Sequence, residues 1–225
     1  MIAFAYGAMI HFEEMPFAAR DAQLVAAILF IAGFVTFMIG AVGWKFDYQA
    51  ALPDAMKAWH RDASRIRWIH LWMVPATLLA ISGTIAFREF QSWAQEPLWA
   101  TIASTLWIVG GVLMLAALIW RVTVVADIAR RTSETGSVPE GAAALHSFGG
   151  WIFWLHLVLS HAATMLFGIS IVQTGVLPHW LGWFGILFGA SLALGNLAQV
   201  GPLSPPFLVH VWFVVLAVVL LVNLP

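Results

Sequence analysis

Read as a string of apolar and polar positions, the chain breaks into long apolar runs separated by short charged clusters. The run 22–44 lies between Asp21 and Lys45, the run 68–87 between Arg67 and Arg88, and the run 98–120 between Glu96 and Arg121. Each is close to the roughly 20 residues that a helix needs to cross about 30 Å of hydrocarbon. Beyond Glu140 no Asp, Glu, Lys or Arg occurs as far as Pro225. Turn residues divide that stretch instead: Thr174, Gly175 and Pro178 form one break, Gly201-Pro202 with Pro205-Pro206 another. Three more helices follow, at 149–173, 180–197 and 207–224. The pattern predicts an all-α fold, a single polytopic membrane domain (1–225) of six transmembrane helices joined by short loops.

Two segments fall outside that scheme. Residues 1–12 are apolar but would extend only about 18 Å as a helix, too short to span. They lack the basic start of a signal peptide, and read as an interfacial segment or as the remnant of a longer helix. Residues 121–134 read as an extension of the third helix beyond the membrane, with Asp127 at helical spacing from Arg130 and Arg131. The loop 132–141, with Gly136 and Pro139, then leads to the fourth helix.

Composition supports the membrane reading. Apolar residues make up 62% of the chain and charged residues 9%, against about 45–50% and 25% in soluble domains; mean hydropathy is +0.90. Ten Lys+Arg face eleven Asp+Glu, and without a basic excess or basic patch nothing points to nucleic acid. Cysteine is absent, which removes disulfides, thiolate metal sites, iron–sulfur clusters and thiol nucleophiles. HExxH, GxSxG and phosphate-loop motifs are missing, and no carboxylate pair sits in a span, so the usual enzyme constellations fail. Asp54, His60 and Asp62 could only serve a lipid-site enzyme at the first basic loop, which reads better as a solvated face that sets orientation.

Lys45, Lys57, Arg61, Arg65 and Arg67 lie between the first and second helices, and Arg121, Arg130 and Arg131 between the third and fourth. The opposite side carries only Arg20 and Arg88. The positive-inside rule therefore places the two basic loops in the cytoplasm and both termini outside. Tryptophans fall into two interfacial belts on this topology: Trp44, Trp68, Trp72, Trp120, Trp151, Trp154 and Trp212 toward one face, and Trp93, Trp99, Trp180 and Trp183 toward the other. Trp59 lies in the first loop, and Trp107 alone sits near mid-membrane.

Small residues form stripes where backbones can meet. Gly33, Thr36, Gly40 and Gly43 mark the first helix, Ala76, Ala80 and Gly83 the second, and Gly185, Gly189, Ala193 and Asn196 the fifth. Pro75 frees a carbonyl one turn back in the second helix, which points to a cavity at that level. Within the spans the only ionisable groups are histidines, so ion-coupled transport, which ordinarily uses intramembrane carboxylates or bases, gains no support. Neutral imidazoles on facing helices can bind a b-type haem. The candidates are His70, His156 and His210, and depth favours a His70–His156 pair; His146 lies just before the fourth helix, and His161 near its middle. His156 and His161 are about 140° apart around a regular helix, so they cannot share one metal. No metal set is read from the sequence. His70 and His156 are expected to face the interior, where a buried hydrogen-bonded pair is the simpler arrangement because no carboxylate is placed to orient either ring.

The segment GVLPHWLGWFGILFG at 175–189, and the stretch from Trp120 to Pro139 with its basic helix end and Thr-Gly-x-Val-Pro loop, resemble those of six-helix bacterial integral membrane proteins of unknown function. That group carries a G-x-L-P-R-W-L-G-W-x-G segment opening its fifth helix; this chain has His179 where a basic residue is usual. The resemblance covers the C-terminal half. It implies a multi-pass protein of the bacterial inner membrane and carries no functional residues across. The expected function is a non-catalytic integral membrane protein, an accessory subunit or small transport-related module, without a cofactor. Its partners would be the lipid bilayer and other membrane subunits or a second copy. The alternative is a haem b electron-transfer protein. Reporter fusions after Arg131 and at the C-terminus should lie on opposite sides of the membrane; two cytoplasmic reports would mean that the charge-free half has been divided wrongly.

Overall fold

The computed structural model describes residues 17–42, 51–94, 97–198 and 207–224. Among these the chain is helices joined by short turns and loops, without strands. Helix α1 (Phe17–Ala41) is followed by the short α2 (Leu52–Arg61) and by α3 (Ala63–Trp93). Helix α4 (Pro97–Trp120) continues through a π-helical turn, Arg121–Val125, into α5 (Ala126–Thr135). Helices α6 (Ala142–Thr174), α7 (His179–Ala198) and α8 (Leu208–Val222) complete the bundle. Five helices are long and apolar enough to cross a membrane, the α4–α5 rod counting as one, and α8 is a shorter apolar helix. The protein is a multi-pass membrane helix bundle.

The predicted spans are present, but several helices run beyond their apolar runs. Helix α3 has 31 residues, about 46 Å, and includes the polar flanks 63–67 and 88–93. Water at the bilayer surface satisfies exposed side chains there while the backbone keeps its helical bonds. The end of the first predicted helix at Trp44, its stripe residue Gly43, the 1–12 segment and the Gly201–Pro206 breaks lie outside the described residues.

The first basic loop is not simply a solvated connection. Its residues 52–61 form α2, which starts with Pro53 in the first turn and Asp54 near the helix N-terminus. Met56 is fully buried in a small cluster with Val125, Ile128, Ala129 and Ala142, flanked by Leu52 and Trp59. One face of α2 therefore docks on α5 and the start of α6, making a compact polar-capped layer at the basic end. On α5, Asp127 pairs with Arg130 at 2.7 Å and Arg131 at 2.8 Å, and Arg130 with Glu134 at 2.8 Å. Gly136 ends that helix at φ 73°, a left-handed position that glycine occupies without a Cβ penalty.

Around the membrane part, α1 packs on α3 and α8, α3 on α4, and α4 on α6, while α7 leans on α6 and touches α8. Glycines set the closest of these approaches. A Cβ at Gly168 of α6 would lie 2.5 Å from the Gly182 carbonyl oxygen, and one at Gly189 of α7 would lie 2.5 Å from the Met165 nitrogen and 2.6 Å from the His161 oxygen. These two backbones touch with nothing between them. Gly33 meets the Ala76 oxygen and Ala80 nitrogen, and Gly40 meets Trp72 and the Ile69 oxygen, so the stripes of the first two predicted spans face each other. Outward, α1 and α3 show Val25, Ile28, Leu71 and Leu78 among their exposed apolar side chains, and α7 shows Trp180, Trp183 and Leu187. In a bilayer these contact lipid.

Aromatic rings fill the bundle. Phe213 stands 4.7 Å from Phe30, 4.4 Å from Trp107 and 5.0 Å from Trp212 between ring centroids, and Phe87 stands 5.2 Å from Phe167. Trp212, placed by sequence in an interfacial belt, is fully buried here and donates to the Leu181 oxygen at 3.3 Å. The absence of side chains at Gly185 makes room for its indole. Gly189→Leu should destabilise the protein by about 1–3 kcal/mol, the range for overpacking, read as a lower melting temperature in detergent. Gly150→Ala, where a Cβ meets nothing within 4 Å, should leave melting unchanged or raise it slightly.

Candidate functional site

Five helices surround one small cavity in the half of the bundle nearer the basic end. Phe37 of α1, with Thr77 and Ala80 of α3, forms one wall. Trp107, Gly111 and Met114 of α4, with His156 of α6, form the opposite one, and Val209 and His210 at the start of α8 close it. The space is about 10 Å³, room for on the order of one water molecule. Pro75 lies two residues from Thr77, at the level that the sequence marked for a cavity. The Thr77 hydroxyl donates back to the Met73 oxygen at 2.8 Å, so its proton is turned into its own helix.

His156 is held from two sides. Its Nδ1 lies 2.9 Å from the Gly110 oxygen of α4 and 3.2 Å from Ser160 Oγ. A backbone carbonyl only accepts, so Nδ1 carries the hydrogen and Nε2 keeps its lone pair. Gly110 permits the approach: a Cβ there would fall 3.1 Å from Ser160 Oγ. His210 is 9% exposed and packs between Phe37, at 4.7 Å, and Trp107, at 6.4 Å. Among the described residues neither of its ring nitrogens makes a hydrogen bond. Among the described residues no carboxylate lines the cavity.

Depth along the chain pairs His70 with His156; the structure instead brings His156 and His210 to one cavity. His70 is buried, as expected, but its Nδ1 lies 2.6 Å from the Ile66 oxygen one turn back, and its ring is 6.0 Å from Trp59 of α2. Its Nε2 is buried without a hydrogen-bond partner. Depth says nothing about direction around a helix, and α3 turns His70 toward the α2 layer rather than toward α6. His161 is buried against Phe188 of α7 at 6.3 Å, while His146 is exposed at the start of α6.

At the basic end, Asp54 pairs loosely with Lys57 at 3.9 Å, and Asp62 with Arg61 at 3.1 Å. The Arg61 guanidinium, by its hydrogen bond, holds the Asp62 carboxyl below its ordinary value. His60 is exposed. The three residues weighed for a lipid-site enzyme thus lie on a solvated surface, engaged with neighbouring cations or water.

Trp107, Gly110 and Met114 escaped the sequence reading as site residues. The signal was present in Trp107, the one tryptophan placed at mid-membrane, and in the Gly110-Gly111 doublet about three turns before Arg121. Gln23 was also missed; its Nε2 donates to the Leu220 oxygen at 2.7 Å and ties α1 to the far end of α8.

Phe37, Trp107 and Gly111 wall the space beside His156 and His210 to about the size of a water. Among the described residues no group of three or more His, Cys, Asp or Glu is placed to hold a metal ion. Compared with known protein families, with curated proteins and with solved structures, the chain matches none.

His156→Leu removes the ring that bonds the Gly110 oxygen and should cost about 0.5–1.5 kcal/mol beyond the change in packing. His156→Gln keeps a donor and should recover part of that loss. Melting curves of the two variants in the same detergent check the order.

Proposed function

We propose that this protein is a non-catalytic module of the bacterial inner membrane, an accessory subunit or small transport-related component, with the basic end in the cytoplasm. The observation that carries this reading is the filled interior. Phe30, Phe87, Phe167, Trp212 and Phe213 are each at most 3% exposed and pack the described bundle beyond the cavity. A substrate-sized pocket ordinarily encloses about 300–1,000 Å³, far more than this space. The charged residues of α2 and α5 are engaged at the surface, and the long apolar faces of α1, α3 and α7 suit contact with lipid or with another membrane subunit. Kinship with the six-helix bacterial group belongs to the same proposal and rests on the 175–189 segment.

The test is optical. Expressed with ample haem supply, purified in mild detergent and recorded oxidised and reduced, the protein should be colourless. A Soret band at one haem per chain would overturn the reading in favour of electron transfer.

A further inference from the structure

We propose that the cavity between α4, α6 and α8 is a binding site for a monovalent soft metal ion, Cu(I), held by His156, His210 and Met114. This rests on the reading of the bundle as free of haem, and names a ligand for the same cavity.

Three observations converge. First, His156 is oriented as metal-ligating histidines are. Its Nδ1 hydrogen goes to the Gly110 carbonyl at 2.9 Å, leaving Nε2 as a bare donor; a backbone carbonyl on the other ring nitrogen is the ordinary outer partner of such a ligand. Second, His210 is nine-tenths buried, lines the cavity and bonds nothing among the described residues. An imidazole in hydrocarbon surroundings without a partner is costly, and an ion in the cavity would supply one. Third, Met114 is 3% exposed and lines the same space. Its thioether is a soft ligand, of the kind that selects Cu(I) among biological metals.

Charge decides between ions. All three ligands are neutral, and among the described residues no carboxylate lines the cavity. The desolvation cost of an ion grows with the square of its charge, so a divalent ion in this apolar surrounding would be far less favoured than a monovalent one. Cu(I) also accepts two or three ligands, which suits a space the size of one water molecule. Binding would release no proton, because Nε2 of His156 is already unprotonated. Phe37 and Trp107 on either side of His210 would shield the ion from oxidants. Met114 lies seven residues before Arg121, about 10 Å along the α4 axis, so the ion would enter from the basic end.

The full chain, purified in detergent and stripped by chelator, is titrated anaerobically with Cu(I) against bicinchoninate. One Cu(I) per chain is expected, and zinc(II) at equal concentration should not displace it. Met114→Leu conserves volume and should melt like the parent while weakening Cu(I) by roughly tenfold or more, the scale on which even outer partners of metal sites act. X-ray absorption should show a sulfur scatterer in the parent and none in Met114→Leu. His210→Gln should abolish stoichiometric uptake. No uptake above a detergent blank, uptake unchanged in Met114→Leu, or displacement by zinc would each overturn the proposal. Cu(I) has a filled d shell and no visible band, so a colourless protein that fails to bind copper contradicts this site alone, whereas a Soret band contradicts the functional reading beneath it.

Discussion

Two helix backbones in direct contact, with no side chain between them, are the constraint on which this bundle depends. Lipid tails are as apolar as the side chains they would replace, so burial of apolar surface gives little drive for helices to associate in a bilayer. Close packing has to supply it. At Gly168, Gly182 and Gly189 the α6 and α7 backbones come near enough that any Cβ would overlap main-chain atoms. At Gly33 and Gly40 the approach between α1 and α3 is close but less extreme: a Cβ would lie 3.3 Å from the Ala76 oxygen and 3.2 Å from the Ile69 oxygen. These two tight pairs are then joined through α4 and α8, whose contacts use larger side chains. The pairs fix direction; Phe213 and its aromatic neighbours fill what is left.

That division explains where polar chemistry survives. In the tight pairs there is no room for it. Between them, at the junction of α1, α3, α4, α6 and α8, Gly110 and Gly111 thin one wall and leave a water-sized space lined by His156 and His210. Several other buried polar groups join helices: Ser104 Oγ donates to the Thr84 oxygen at 3.2 Å, Trp154 Nε1 to the Asn196 oxygen at 2.8 Å, and Gln23 to α8. His210 differs from these three, since among the described residues it is enclosed without such a bond. The site is therefore defined by what the packing leaves unsatisfied as much as by which residues approach it.

Much of the fold was legible in the sequence because the bilayer imposes a length and an apolar composition on each span. Charged residues at 21, 45, 67, 88, 96 and 121 marked ends to within a few residues of the helices where those ends are described. They could not mark where a helix stops once it leaves hydrocarbon, which is why α3 extends to Trp93 past Arg88. Helix α2 was hidden because ten residues with four ionisable side chains carry no span signal, and only the spacing of Leu52, Met56 and Trp59 hints at a docked face. The small-residue stripes were legible as contact surfaces, yet which stripe meets which is a property of the assembled bundle. The same holds for the site. Burial of His70 and His156 followed from the cost of exposing an imidazole to lipid. The neighbour of His156 did not, since rotation about the helix axis decides it, and that rotation follows from Gly110, Gly168 and Gly189.

The central claim is that His156 and His210 share one enclosed cavity, with His156 fixed by the Gly110 carbonyl. Nuclear magnetic resonance of the protein in bilayers, with histidine labelled by ¹⁵N and ¹³C, tests this most directly. The account predicts His156 as the Nδ1-protonated tautomer with Nε2 bare, a through-space transfer between the His156 and His210 rings, and no transfer from either ring to lipid acyl protons. A His156 signal protonated at Nε2 alone, or strong transfer from either ring to acyl chains, would contradict it.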